Sequence, residues 1–271
     1  MKRILALVSS PRKLANGEML TREVAKASSE AFDLEIIKLT DLNLGLCRGC
    51  YSCLRPGQKC PIEDDFYHLL NKMKEADGII LSAPCYALGP NAVTKLLGDR
   101  VIASAQSIEE LWGKPCVVIA TAGIEGWEGY ILTSLNTTVR FLGLELKDSH
   151  LFIGALPGEG VIREGALERA QEMGEALFGQ ARKTKKGECP TCWSELWKFN
   201  DTQNKFCAIC GQEANLQMAE GGLEWIYKTK GNRFDKEELS RHFNDWLKGK
   251  VQEFISRRKE FNEIRNRYKE N

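Results

Sequence analysis

The sequence predicts an α/β fold: a doubly wound, five-stranded parallel sheet, then a small four-cysteine module and a long terminal helix. Three observations predict it. Through the first 180 residues, short apolar runs alternate with stretches of helical spacing, and strands that alternate with helices build a parallel sheet covered on both faces. Between residues 189 and 210, four cysteines stand in two close pairs, a unit too small to bury a core unaided. From Leu239 to Tyr268, apolar residues return every three or four positions, the stripe of an amphipathic helix.

The elements follow in order. ILALV at 4–8 is short and wholly apolar, which reads as a buried strand. Residues 19–32 have helical spacing, 34–39 form a second strand, 66–73 a helix and 78–83 a third strand. Residues 93–103 are helical, 116–121 a fourth strand, 131–142 a helix, 150–155 a fifth strand and 167–178 the closing helix. Five such strands suit the flavodoxin-like order, in which a ligand crevice opens at the carboxyl ends of the strands. The sheet domain is expected to span 1–184. ARKTKKG at 181–187 is polar and basic, a linker by composition. The cysteine module is placed at 187–217 and a C-terminal extension at 218–271. In that extension GLEWIYKTKGNRF reads as a hairpin or an irregular segment. Residues 235–268 read as one helix, with Asp235 as N-cap and a gap in the apolar stripe near Arg258.

Composition is that of an ordinary globular chain, 43% hydrophobic and 28% charged over 271 residues. The net charge is +1, with a balance of −4 over residues 1–180 and +5 over 181–271. That tail is too mildly basic, and too interspersed with acids, to argue for nucleic acid. The apolar run at 4–8 is too short for a signal-peptide core, and no run approaches the ~20 apolar residues of a membrane helix. A cytoplasmic location is expected, with no membrane contact. Thiols stay reduced there, so the ten cysteines are read as ligands before disulfides.

Three loops then fall at the carboxyl ends of strands. SSPRKLANGEML (9–20) offers the short polar side chains of Ser9, Ser10 and Asn16 and the charges of Arg12 and Lys13. It opens directly into a helix whose free N–H groups face the same point, an anion site. Neither a Walker A loop nor the dinucleotide glycine fingerprint is present, and an ordinary strand-to-helix turn would share many of these features. SAPCYALGPNAV (82–93) is stiffened by Pro84 and Pro90 and carries Cys85, Ala87 and Tyr86, a flat face for an aromatic ring. TAGIEGWEG (121–129) contributes Thr121, Trp127 and the glycines Gly123 and Gly126, which let backbone approach a ligand closely. Together the loops describe a site for a planar ring with a phosphate tail. No side chain stands out as a required general acid or base. His68, His150 and His242 lie outside the ligand loops and are assigned to surface or packing.

The loop after the second strand is different in kind. LCRGCYSCLRPGQKCPIED places Cys47, Cys50, Cys53 and Cys60 in the pattern C-x2-C-x2-C-x6-C, with Pro61 next. Such a run wraps a compact 4Fe–4S cluster, as in ferredoxins. Zinc accepts four thiolates too, although it favours two separate C-x2-C knuckles. The loop 46–62 belongs to the same sheet edge as the other three, so a cluster there would neighbour the planar ring. A second set, Cys189, Cys192, Cys207 and Cys210, follows C-x2-C-x14-C-x2-C, a strong signal for a tetrahedral metal site. It is similar to a zinc ribbon and to rubredoxin, so the expected metal is structural zinc, with iron as the alternative. Cys116 reads as a core residue, and Cys85 as packing beside the ring.

SSPRKLANGEML resembles the G-S-P-R-K-x-G-N-T phosphate loop of the NADPH-dependent FMN reductase family. ADGIILSAPCYALGPNAVTKLLGDR (76–100) resembles its A-D-G-I-I-x-x-x-P-x-Y segment, and GKPCVVIATAG (113–123) its G-K-P strand and glycine loop. The resemblance implies FMN, its phosphate held by Ser10, Arg12 and Asn16. Pro84, Tyr86 and Ala87 would lie along the isoalloxazine, with Thr121 and Gly123 at its polar edge. The sequence departs from the pattern at Ser9, which stands for the first glycine, and at Gly17, which stands for the second hydroxyl. The thiol loop resembles that of the iron–sulfur flavoprotein branch, which implies homo-oligomers, dimer or tetramer, with cluster and flavin facing each other between subunits. The function expected is an oxidoreductase passing electrons from NAD(P)H or ferredoxin to an acceptor. The alternative is a redox-sensing or partner-binding module that uses the ribbon and terminal helix.

Overall fold

The computed structural model describes residues 1–28, 31–55, 57–199, 204–219, 222–228 and 231–269. Five parallel strands form the main sheet: β1 (Lys2–Val8), β2 (Phe32–Lys38), β3 (Gly78–Tyr86), β5 (Pro115–Ala122) and β6 (Glu145–Ile153). A two-residue strand, β4 (Gly89–Pro90), turns back on the end of β3. The order β2-β1-β3-β5-β6 is the flavodoxin-like one, with a reversal that opens a crevice beside β1. The connecting helices are α1 (Asn16–Lys26), α2 (Phe66–Glu75), α3 (Ala92–Arg100), α4 (Ile108–Leu111), α5 (Ile131–Phe141), α6 (Glu159–Ile162) and α7 (Ala166–Phe178).

The central strands are apolar throughout because both of their faces are buried. Successive side chains point to opposite faces, and β1 divides accordingly. Ile4 and Ala6 pack with Leu20, Val24, Met173 and Leu177 of α1 and α7. Leu5 and Leu7 pack with Phe66, Leu69, Leu135 and Val139 of α2 and α5. α1 starts three residues before its expected start and ends at Lys26, because Phe32 already pairs with Lys2 in the sheet. β6 begins at Glu145, five residues early, where it pairs with Pro115 across an irregularity at Cys116.

The small sheet is β7 (Trp197–Phe199), β8 (Asn204–Cys207), β9 (Glu213–Ala219) and β10 (Gly222–Tyr227), all antiparallel. The expected hairpin at 222–234 is therefore half of one. Its partner strand β9 begins within the expected cysteine module and runs past its end. The terminal helix is not continuous. It runs as α8 (Lys236–Ser240), a π-helical stretch Arg241–Leu247, α9 (Lys248–Ser256) and α10 (Arg258–Asn266). The break falls at Arg257 (φ −104°, ψ 18°), beside the gap in the apolar stripe. Arg257 pairs there with Glu253 and Glu260, while the rings of Phe254 and Phe261 stack 5.8 Å apart across it. Leu239, Phe243 and Leu247 join the core of the main sheet, so the extension docks on that domain. Among the described residues no helix is long and apolar enough to cross a membrane.

Buried charge ties the two sheets together. Asp148 on β6, 1% exposed, pairs with both Arg169 and Arg182. Arg182 also pairs with Glu188 at 2.8 Å and lies over the Trp193 ring at 4.1 Å. His150 packs edge-on to Phe152 at 4.7 Å. Burial, then the nearby Arg169, Lys185 and Arg182 charges, push its pKa down to about 3 from 6.5. The folded form holds the ring neutral, whereas the unfolded chain takes up a proton below pH 6.5. This contribution is therefore whole above that pH and erodes as pH falls, by up to about 1.4 kcal/mol per pH unit. Urea unfolding at pH 7 and pH 5 should show His150→Leu losing about 1–2 kcal/mol less than wild type over that interval. Equal losses would assign the acid limb to other groups.

Candidate functional site

The carboxyl ends of β1, β3, β5 and β6 meet around a crevice of about 230 Å³. The first loop gives it Ser10, Arg12, Ala15 and Asn16, the third Pro84, Cys85 and Tyr86, and the fourth Thr121, Ala122 and Gly123. A further wall, Gly154, Ala155 and Pro157, follows β6, and no sequence motif marks it. Lys13, Ala87, Gly126 and Trp127 do not line the crevice. Trp127 is 65% exposed, and its carbonyl accepts from the Cys85 thiol at 3.7 Å.

The first loop is built around Asn16. Its Nδ2 donates to Gly154 O (3.0 Å) and Leu156 O (2.9 Å), and its Oδ1 accepts from Gly158 N (2.8 Å) and Gly160 N (3.3 Å). That amide is committed to clamping the β6 loop, which leaves the N–H groups of the first turn of α1 for a ligand. Asn91 donates to Ser9 O at 2.6 Å and joins the first loop to the third. Glu18, 5% exposed, accepts from Leu14 N and pairs with Arg22 and Lys38. Burial alone would raise its carboxyl, but those hydrogen bonds hold it below the ordinary value. The Ser9 hydroxyl is fully buried and has no partner among the described residues. A buried hydroxyl left without an acceptor is costly, but Ser9 does not line the crevice, and the serine that does is Ser10.

Gly17 occupies the family hydroxyl position for a packing reason: a β-carbon there would collide with Ser82 Oγ. Gly17→Ala should destabilise the fold by about 1–3 kcal/mol in urea. Ser82→Gly in the same chain should recover most of that loss. A double variant no better than Gly17→Ala would refute the clash.

The thiol loop is held by side chains from outside it. Asp64 accepts from Gly45 N at 2.8 Å, and Arg100 donates to Gly45 O at 2.9 Å. Gln106 Nε2 reaches the carbonyls of Cys53 (2.7 Å), Gln58 (2.8 Å) and Arg55 (3.1 Å). Cys60 N donates to the Tyr67 hydroxyl at 2.7 Å. Cys53 is buried, Cys60 half-buried, and Cys47 and Cys50 are exposed. Burial, then the thiol of Cys60 and those of Cys50 and Cys47, pushes the Cys53 thiol up to about 11. Four thiols thus share one electrostatic neighbourhood at the end of β2, yet they are not drawn together tightly enough for a single ion. Four thiolate donors in one loop are the donor set of a multi-iron cluster.

Residues 2–143 match the NADPH-dependent FMN reductase family. The chain belongs to that family. It is a family of flavin-dependent oxidoreductases. Among its relatives, an iron–sulfur flavoprotein of Methanocaldococcus jannaschii is 44% identical over 99 residues, 36% of this chain. The chain spans about half of that relative, 51% of its length. An iron–sulfur flavoprotein of Archaeoglobus fulgidus is 30% identical over 187 residues, 66% of this chain and 90% of the relative. A solved flavone reductase superposes with a TM-score of 0.74 at 17% identity, covering 99% of this chain and 98% of that one. That likeness shows the fold, small sheet and terminal helices included.

Beside the FMN reductase sheet, Cys189, Cys192, Cys207 and Cys210 are all buried, with their sulfurs within 4.8 Å of one another. The two knuckles repeat one hydrogen-bond pattern. Trp193 N donates to Cys189 O and Gly211 N to Cys207 O, while Cys189 N donates to Ser194 O and Cys207 N to Gln212 O. Both knuckles need left-handed backbone after the second cysteine, at Trp193 (φ 56°) and Gly211 (φ 81°). Glycine adopts it freely, whereas Trp193 is held there by the stacked Arg182. The guanidinium of Arg140 lies over Phe234 at 5.9 Å. Burial lowers its pKa, against the opposing pull of Cys192 and Cys210. Four converging thiols beside a half-buried cation make a site for one tetrahedral metal ion.

Backbone strain marks the same places. Among the described residues, the non-glycine positions with positive φ are Leu14, Tyr51, Ala87, Leu88 and Trp193. They fall in the first loop, the thiol loop, the β3–β4 hairpin and the first knuckle. Such strain collects at functional sites.

Proposed function

We propose that the chain is an oxidoreductase that holds FMN in the crevice, a 4Fe–4S cluster in the loop 46–62 and zinc, or iron in its place, in the four-cysteine module. It passes electrons between NAD(P)H or ferredoxin and an acceptor. The observation that carries this reading is a crevice lined by Ser10, Arg12 and Asn16 at the start of α1, on the sheet edge that also bears four thiols. FMN exchanges one or two electrons and a cluster one at a time, so together they couple two-electron to one-electron chemistry.

The residues divide the work. Ser10, Arg12 and the first turn of α1 bind the phosphate. Pro84, Cys85 and Tyr86 form the wall for the ring, with Thr121 and Gly123 at its edge. The crevice is smaller than the roughly 300–1,000 Å³ of a pocket that encloses a whole ligand, so part of the ring stays open to an acceptor or a second subunit. Exposed Tyr86, Leu88, Ile124, Trp127 and Tyr130 stand at the end of β3 and in the segments that follow β3 and β5 and support a homo-oligomer.

Anaerobic purification followed by flavin extraction and metal analysis tests the proposal. Expected are one FMN, about four irons with matching sulfide, and a further metal ion per chain. Flavin absorbance should bleach rapidly with NAD(P)H or reduced ferredoxin. A colourless protein with zinc as its sole metal would overturn the reading.

A further inference from the structure

The loop that carries Cys47, Cys50, Cys53 and Cys60 begins and ends on one side chain. Arg100, on α3, is fully buried. Its Nη1 donates to Gly45 O at 2.9 Å, just before the first thiol. Nη1 and Nη2 together grip the Asp64 carboxylate, just after the last, with the Nη2 contact at 3.3 Å. Asp64 closes the bracket by accepting from Gly45 N at 2.8 Å. The Phe66 ring lies 4.7 Å from the guanidinium and excludes water from that side.

One nitrogen of this guanidinium is left without a partner. Arg100 Nε is buried and has no hydrogen-bond partner among the described residues. An orphaned donor on a fully buried cation is expensive, and native interiors rarely keep one without a reason. Besides Asp64, the groups that act electrostatically on Arg100 are the thiols of Cys60 and Cys47. Asp64 offsets the charge of Arg100, but its oxygens are already taken by Gly45, Phe66 and the guanidinium fork. The acceptor that satisfies Nε is therefore sought among the sulfurs.

We propose that Arg100 is a positioning residue of the iron–sulfur site, fixing both ends of the thiol loop and donating its free Nε–H to cluster sulfur. This rests on the reading of the loop as cluster ligands. Hydrogen bonds to sulfur and nearby positive charge raise a cluster's reduction potential, so Arg100 makes the cluster easier to reduce. Lysine at this position keeps the charge but has neither the planar fork nor the Nε–H.

Two variants test it against wild type. Arg100→Lys keeps a cation for Asp64. Arg100→Gln with Asp64→Asn replaces both partners and leaves no uncompensated buried charge. The readouts are iron and sulfide per chain, the cluster midpoint potential from a titration followed by electron paramagnetic resonance, and flavin content as a check on the fold. Both variants should keep wild-type flavin content and lose iron at about 10–100-fold lower chelator concentration. The potential should fall in both, further in the neutral pair. Wild-type iron retention and an unchanged potential in Arg100→Lys overturn the proposal, even where the neutral pair fails to fold. Wild-type protein without iron and sulfide overturns instead the reading on which it rests.

Discussion

Replacing Cys207 by serine is expected to strip the metal from the small sheet and unfold it, while the parallel sheet stays folded. The local core there consists of the four cysteines and Phe234, with Phe141, Trp197 and Ile209 packed against it. That much apolar surface cannot hold β7–β10 together alone. In such units metal binding, about 10–16 kcal/mol for structural zinc, is the folding energy. Cys207 belongs to both the second knuckle and strand β8, so losing it removes a ligand and the strand's anchor. The rings of Trp197, Trp225 and Tyr227 sit 4.4–6.4 Å apart on this sheet, so near-ultraviolet circular dichroism reports its unfolding. Bound metal should fall by one ion per chain, and protease should cut between β7 and α8. Helix α8 would lose its neighbour but keep Leu239 in the main core. A Cys207→Ser protein with wild-type metal content and an unchanged aromatic signal would show that the thiols do not hold the metal.

The parallel sheet was legible because two periods separate cleanly in it. Buried strands such as 4–8 are apolar at every position, and the helices between them keep three- and four-residue spacing. The small sheet was less legible because β7 and β8 together have seven residues, too few for alternation to register. The knuckle spacing announced the site and not the strands around it. At the crevice the residue types pointed to three loops whose residues the structure brings together. Type alone does not say which way a loop side chain turns, so Lys13, Ala87, Gly126 and Trp127 were expected at a lining they do not reach. The opposite error is Arg100. It continues the three-residue step of Thr94 and Leu97, the buried face of α3, and a cation on that face is itself a signal of a buried anion. Asn91 and Gln106 left no such trace, since a buried amide and an exposed one read alike.

Cys53→Ser should remove the proposed cluster and spare the flavin. Of the four thiols in that loop, Cys53 is the most buried, at 6% exposure, and its Sγ lies 3.9 Å from Ile102 O. It sits in the core shared with Leu54, Phe66 and Ala103, so no water or exogenous thiolate can replace it. Serine is a poor ligand for iron, because its hydroxyl lacks the softness and acidity of a thiol. The expected loss is the whole complement of about four irons per chain. Cys50→Ser should lose less, since an exposed position admits a solvent ligand or a small added thiol. The crevice takes no residue from this loop, so FMN content should stay at the wild-type level in both. Iron, sulfide and flavin measured on the same anaerobic samples decide the matter. Full iron in Cys53→Ser would remove that residue from the ligand set. Joint loss of flavin and iron would mean that the thiol loop supports the crevice itself, through Asn43 and Gly45, which Asp65 and Asp64 tie to the start of α2.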